Sequence, residues 1–254
     1  MRIWAIGDLH LSFGTPNKNM DVFGDEWLNH PAKIEKHWRE CISYNDLVLL
    51  PGDISWAKEP EEAKPDLDWI DALPGIKVMI KGNHDYWWGS QRKMKGILPS
   101  SLHAIHNSHF RWGDIEICGT RLWDSEEYNF DPFDDKREEP VGVKISPEQH
   151  DLEANARVFA RELHRLDLSL RQMEPGARLR IAMTHYPPIG ANLEPSATHK
   201  ILKKHNIDIC VFGHLHGLIP NSLPFGECEG IRYVLTSCDY INFKPVLISQ
   251  NSGY

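Results

Sequence analysis

What most restricts the fold of this 254-residue chain is a repeated local pattern, a short apolar run that stops abruptly in glycine, carboxylate or histidine. Apolar runs at residues 2–6, 46–50, 77–80, 115–119, 180–183, 208–212, 232–236 and 246–249 have the length and residue types of buried strands. Five of them end in Gly7-Asp8-Leu9-His10, Gly52-Asp53-Ile54, Gly82-Asn83-His84-Asp85, Thr184-His185-Tyr186-Pro187-Pro188 and Gly213-His214-Leu215-His216-Gly217. Amphipathic or polar stretches separate the runs, so strands alternate with helices and the α/β class follows.

The best-marked helix is expected at about 147–173. Ser146-Pro147-Glu148-Gln149 offers an N-cap serine, a first-turn proline and a glutamine at the third position. Behind it Leu152, Ala156, Phe159, Leu163, Leu166, Leu170 and Met173 fall on one stripe, as a helix packed on a sheet requires. Shorter helices are expected at 33–42, 65–73 and 197–205. Residues 123–143 carry eight carboxylates against Lys136 and Arg137 and read as a loop insertion, either solvated or a lid beside a site. No internal repeat or linker is visible, so residues 1–254 are expected to form a single domain.

Composition excludes several roles. A formal charge of −8 disfavours nonspecific attraction to nucleic acid or anionic membrane. No apolar run approaches the roughly 18 residues of a membrane-spanning helix, and Met1-Arg2-Ile3-Trp4-Ala5-Ile6 reads as a first strand rather than a signal peptide. The five cysteines are odd in number, widely spaced and without a C-x-x-C pair, which points to a reducing, cytoplasmic setting rather than a disulfide framework.

Strand ends on one side of an α/β sheet converge on one crevice. Asp8 and His10 are two residues apart, as are His214 and His216, and in extended chain that spacing turns both side chains the same way. Asp8, Asp53, Asn83, His10, His185, His214 and His216 together give two carboxylates, one amide oxygen and four imidazoles. This mixed N/O set suits Mn, Fe, Zn or Ni. It is too large for one tetrahedral ion and fits two ions that share a carboxylate. A single Gly-Asp after a strand is usually a turn, and nine other histidines, such as His103 and His199, read as structural or solvated. Five clusters in the same strand-end position are not a coincidence of that kind.

In this order, from residue 7 to residue 217, the clusters resemble the Asp-x-His, Gly-Asp, Gly-Asn-His-Asp/Glu, His and Gly-His-x-His pattern of the calcineurin-like metallophosphoesterases. The resemblance implies two stacked mixed β-sheets flanked by helices, a four-layer α/β/β/α sandwich. It also implies that Asp8, His10 and His216 hold one divalent ion, that Asp53 bridges, and that Asn83, His185 and His214 complete a second, with Mn or Fe favoured. His84 would stand at the substrate and Asp85 would orient it, the two forming the catalytic pair. Two carboxylates against two divalent ions leave a formal charge of about +2, which draws a phosphate ester into an acidic protein. Ions about 3.5–4 Å apart would lower the pKa of a bridging water, and the resulting hydroxide would attack in line. A histidine that protonates the leaving alkoxide is worth about 10²- to 10⁴-fold.

The second motif, Gly52-Asp53-Ile54-Ser55-Trp56-Ala57, lacks the arginine of the protein Ser/Thr phosphatases, and the form is closer to bacterial phosphodiesterase-like members. Arg121 and Trp123 read either as contacts for a phosphate and a planar group or as an arginine paired with acidic neighbours and a core tryptophan. Tyr86 is the aromatic nearest the pocket, and Trp87 and Trp88 read as its wall. The expected substrate is a small phosphodiester or phosphomonoester, with no nucleic acid or membrane partner. A nuclease would share the metals but need a basic track, which is not visible. A non-catalytic scaffold would lack a ligand, and none is missing.

Overall fold

In the computed structural model, which describes residues 1–133, 149–219, 222 and 225–250, every apolar run expected to be a strand is one. In chain order the strands are β1 (Arg2–Ala5), β2 (Leu47–Leu50), β3 (Ile76–Met79), β4 (Leu102–Ala104), β5 (His109–Trp112) and β6 (Ile115–Thr120). They continue with β7 (Leu179–Thr184), β8 (Ile209–Phe212), β9 (Glu227–Cys228), β10 (Ile231–Leu235) and β11 (Val246–Gln250). The helices are α1 (His30–Cys41), α2 (Pro60–Asp71), α3 (Gln91–Ile97), α4 (Gln149–Leu170) and α5 (Ala197–Lys204). The cap expected at residues 146–148 and the 134–143 part of the acidic stretch lie outside the described residues.

One sheet has five strands in the order β11-β1-β2-β3-β4, and the other has six in the order β5-β6-β7-β8-β10-β9. Strands β1 to β4 are parallel and β11 runs against β1; β6, β7, β8 and β10 are parallel and are flanked by antiparallel β5 and β9. Strand alternation then builds four layers. Ile3 and Ala5, Leu47 and Leu49, Ile181 and Met183, and Ile209 and Val211 meet between the sheets in one apolar cluster. The intervening Trp4, Val48 and Leu50 face outward and pack with Ile34 and Trp38 of α1 and Leu67 and Ile70 of α2. On the other outer face Ala182, Cys210 and Phe212 pack with Leu166 and Leu170 of α4 and Leu202 of α5. This is the two-sheet sandwich expected.

Helix α2 starts a turn before the expected Pro65. Glu62 accepts from the backbone N–H of Lys58 and Glu59, 2.9 and 3.3 Å away, which fixes the start upstream. Strands β4, β5 and β9 and helix α3 were not expected; three of them are four residues or shorter, too short for a period to register. At the site end of the sandwich, Gly7 and Ser237 form a parallel bridge in which Gly7 N–H donates to the Thr236 carbonyl at 2.7 Å. That bond ties the end of β1 to the end of β10. The two sheets are thereby held together where the Gly, Asp and His clusters emerge.

Candidate metal centre

The clusters interlock through their backbones before any side chain is considered. Asp8 N–H donates to the Gly52 carbonyl and His10 N–H to the Asp53 carbonyl, both at 3.0 Å, while His214 N–H meets both carboxylate oxygens of Asp8 at 3.0 Å. These bonds require tight turns, and Asp8, His10, Asp53 and His214 have φ of 57°, 45°, 51° and 73°. A non-glycine residue in the left-handed region costs about 1–3 kcal/mol, and such strain gathers at functional sites. Close approach also explains two of the glycines. A Cβ on Gly82 would lie 2.0 Å from Asp53 Oδ1, and one on Gly213 would lie 2.3 Å from Asp8 Oδ2.

The side chains then converge. His10 Nε2 lies 3.2 Å from His216 Nε2 and 3.6 Å from Asp53 Oδ2, and Asp8 Oδ1 lies 3.7 Å from His216 Nε2. The same Asp53 oxygen lies 3.5 Å from His185 Nε2. Asn83 Oδ1 in turn lies 2.5 Å from His185 Nε2 and 3.1 Å from His214 Nδ1. Asp53 Oδ2 therefore stands between the His10 and His185 rings. Seven donors come together, and they are the seven that the sequence singled out.

The donor set fits divalent ions. Ligands held at about 2.0–2.2 Å in a tetrahedral or octahedral array lie about 3.0–3.5 Å from one another, close to the spacings found here. Asp8, His10 and His216, and separately Asp8, Asp53 and His185, gather their donor atoms within 4.8 Å. Two of the imidazoles are oriented from behind, as ligating histidines are. His185 donates Nδ1–H to the Pro51 carbonyl at 3.0 Å, and His216 donates Nδ1–H to Asp239 Oδ1 at 2.9 Å, so each presents Nε2 to the centre.

Burial sets the protonation states. It holds His185 down to about 3 and His10 and His214 well below the usual range, which leaves these rings neutral and able to ligate. Burial likewise pushes Asp8 up to about 7, opposed by His216 and reinforced by Asp53, and it raises Asp53. For His216 burial works downward, but the carboxylates of Asp239, Asp8 and Asp53 outweigh it and lift the ring to about 9. Buried carboxylates without a counter-cation and one imidazole that draws a proton describe a place short of positive charge.

His84 stands over this centre, its ring 4.4 Å from that of Trp56 and 5.7 Å from that of His10, and its backbone N–H donates to Asp53 Oδ1 at 2.9 Å. The expected role of Asp85 is corrected. Its buried carboxylate accepts from the backbone N–H of Ile54, Ser55 and Gly82 and from Trp87 Nε1, at 2.8–3.1 Å. No hydrogen bond joins it to the His84 ring among the described residues. Asp85 holds the Gly52 and Gly82 loops to each other. Burial, then Asp53, pushes its carboxyl up to about 7.

The remaining expectations divide. Trp87 and Trp88 are buried as a wall, while Tyr86 is 60% exposed at the rim, its ring 6.4 Å from His84. The Trp123 ring packs on Tyr186 at 5.1 Å, and Trp123 lines a pocket of about 250 Å³ with Asp124, Tyr128 and His214. Arg121 turns away from that pocket, pairing with Glu162 of α4 at 3.8 Å and covering the Trp123 ring at 4.6 Å. On the His10 side a pocket of about 280 Å³ is lined by Met20, Phe23, Trp27, Trp56, His84 and His216. Trp56 stacks on His10 at 5.0 Å, and Trp27 meets the His216 ring edge-on at 5.6 Å.

Sequence reasoning missed Trp27, Trp56 and Asp239. Asp239 follows β10 as Asp8 follows β1, so a sixth strand-end position, with a fourth carboxylate, was there to be counted. Trp27 comes from a 3₁₀ turn (Asp25–Trp27) inserted between β1 and α1, and nothing in its spacing links it to the clusters.

A family model for calcineurin-like phosphoesterases matches residues 1–218, and the chain belongs to that family. Over 84 residues it is 32% identical to the Gene 66 protein of Mycobacterium phage L5, and over 83 residues it is 31% identical to the Gene 66 protein of Mycobacterium phage D29. The aligned parts are 32% and 33% of this chain and 39% and 40% of those proteins, so the chain spans about two fifths of the length of these curated relatives. Among solved structures, the phosphopantetheinyl hydrolase of Mycobacterium tuberculosis matches 100% of this chain and 97% of its own, with a TM-score of 0.52 and 13% identity. That likeness is one of fold.

Proposed function

We propose that the protein is a metal-dependent phosphohydrolase with two divalent ions, Mn or Fe favoured, that cleaves a small phosphodiester or phosphomonoester by in-line attack of water. The observation that carries the reading is Asp53 Oδ2, 3.6 Å from His10 Nε2 on one side and 3.5 Å from His185 Nε2 on the other. Asp8, His10 and His216 would hold one ion, Asn83, His185 and His214 the other, and Asp53 both. Such ions, when bound, polarise phosphoryl oxygens and acidify water.

The other steps belong to the chain. Asn83 gives an oxygen ligand without adding negative charge, so the site keeps its pull on a phosphate. His84, half-buried and held below its ordinary pKa by burial, rests as the neutral ring, whose N–H would hydrogen-bond the charge that builds on the phosphoryl group; only its protonated minority form would pass a proton to the departing alkoxide. The pocket of about 280 Å³ formed by Trp27, Trp56 and Met20 excludes water from that side and takes the apolar or planar part of the leaving group. Its volume is near the lower end of the roughly 300–1,000 Å³ of small-molecule sites, which favours a small ester over a polymer. Trp123 lines the pocket on the His214 side, and Tyr86 stands exposed beside His84.

The test is reconstitution with Mn²⁺, Fe²⁺ or Zn²⁺, metal content by mass spectrometry, and assays on p-nitrophenyl phosphate, bis-p-nitrophenyl phosphate, cyclic nucleotides and single-stranded DNA. Two ions per chain with turnover of a small ester are expected, and a chelator should abolish the turnover. Protein that holds two ions and hydrolyses none of the four overturns the proposal.

A further inference from the structure

Next to the metal centre, where β3 and β6 end, a second cleft of about 220 Å³ has a lining of unbalanced charge. It brings Lys81, His106, Arg121 and Arg165 around a single carboxylate, Glu162. That carboxylate is buried and already engaged. Thr120 Oγ1 donates to Oε2 at 2.9 Å and Arg165 Nη1 to Oε1 at 2.7 Å, with Arg121 Nη2 3.8 Å from Oε1. Three cations against one anion leave two formal positive charges in the cleft.

Apart from the Asn107 side-chain amide, the polar groups of the lining that are not yet used are donors. Lys81 makes no hydrogen bond or ion pair among the described residues. Trp88 Nε1, which can only donate, meets His106 Nδ1 at 3.3 Å, so His106 carries its proton on Nε2. Arg121 Cζ lies 4.6 Å from the centre of the Trp123 ring, which restrains a guanidinium that a lone carboxylate 3.8 Å away does not saturate. Cations drawn together in a partly buried cleft repel one another, and an oxyanion relieves that repulsion and accepts from their donors.

We propose that this cleft is a second anion site that takes a phosphate group distinct from the one hydrolysed at the metal centre. The two sites share backbone. Lys81 immediately precedes Gly82 and Asn83, and the Arg121 carbonyl accepts the N–H groups of His185 and Tyr186 at 3.1 and 3.0 Å. The ligand is either a further phosphate of the substrate or free inorganic phosphate. Its link to substrate rests on the phosphohydrolase reading, whereas binding of the anion does not.

The experiment is titration of the metal-loaded protein with inorganic phosphate by calorimetry, beside Arg165→Gln and Lys81→Gln, with melting temperatures checked for each. Two phosphates per chain are expected in the parent protein, and each substitution should weaken one of them at least about tenfold, as loss of a charge-assisted hydrogen bond does. In parallel, KM is measured for p-nitrophenyl phosphate and for a nucleoside bisphosphate. A larger rise in KM for the bisphosphate assigns the cleft to the substrate's second phosphate; equal KM changes with weakened phosphate binding assign it to the free ion. Unchanged phosphate titration in both folded variants overturns the site. Titration is readable in a protein that turns nothing over, so failure of this inference and failure of the phosphohydrolase reading are told apart.

Discussion

His216 donates Nδ1–H to Asp239 Oδ1 across 2.9 Å, which leaves Nε2 as the nitrogen that faces His10 Nε2 at 3.2 Å. Asp239 also accepts Gly217 N–H at 3.0 Å, so it fixes both the ring and the loop that carries it. Asp239→Asn should weaken metal affinity about 10- to 100-fold. Equilibrium titration with Mn²⁺ checks this, and an affinity equal to that of the parent protein would remove Asp239 from the site.

Gly82→Ala puts a methyl group 2.0 Å from Asp53 Oδ1, a distance no packing tolerates. The loop or the carboxylate must move, and misplacement by about 1 Å costs on the order of 10²-fold in rate. Turnover at saturating metal should fall by at least that factor. Gly96→Ala, where the methyl meets nothing within 4 Å, is the control and should leave turnover unaltered.

Trp56 faces both His10 and His84, with ring separations of 5.0 and 4.4 Å. Trp56→Ala should raise KM for aryl phosphates about tenfold, the scale of a lost aromatic contact. A small alkyl phosphate should be affected much less. Equal increases for both esters would mean that Trp56 supports the metal ligands instead of the leaving group.

Asp167 clamps α4 to α5, accepting from His205 Nε2 at 2.8 Å, Lys204 Nζ at 3.1 Å and Arg171 Nη2 at 2.6 Å. The His205 bond, opposed by partial burial and aided by Lys204 and Arg171, holds the carboxyl at about 2. Its folded pKa lies below the unfolded value near 3.8, so the unfolded chain binds more protons between those two pH values. The stabilisation is complete above about pH 4 and is lost as pH falls through about 2. Solvent screening keeps it near about 1 kcal/mol. Asp167→Asn should lower the melting temperature by about 2–4 °C at pH 7, with the gap closing on acidification. A gap independent of pH would show that geometry, not charge, is what the substitution removes.

The sequence made legible whatever rests on period or on residue type at a strand end. The unbroken apolar run Leu47-Val48-Leu49-Leu50 marks a strand buried on both faces, and Asp8, Asp53 and His214 each follow an apolar run. What escaped depends on coordinates in space. The left-handed backbone at His10 is imposed by bonds to a loop more than forty residues away, and no local pattern records it. Asp85 sits beside His84 in the chain, yet its carboxylate turns back toward Ile54 and Ser55, because three backbone N–H groups needed an acceptor. Adjacency in sequence suggested a partner that adjacency in space did not supply.

The candidate ligands are divided between the sheets, with Asp8, His10, Asp53 and Asn83 on loops from one and His185, His214 and His216 on loops from the other. Ions held among them would act as rivets across the mouth of the sandwich, reinforcing the Gly7–Thr236 backbone bond between two layers whose facing surfaces are largely apolar. Loading and folding are then one equilibrium. Free metal at about a hundred times its dissociation constant adds about 2.7 kcal/mol to the folded state, and that margin is withdrawn whenever the surrounding metal supply runs low.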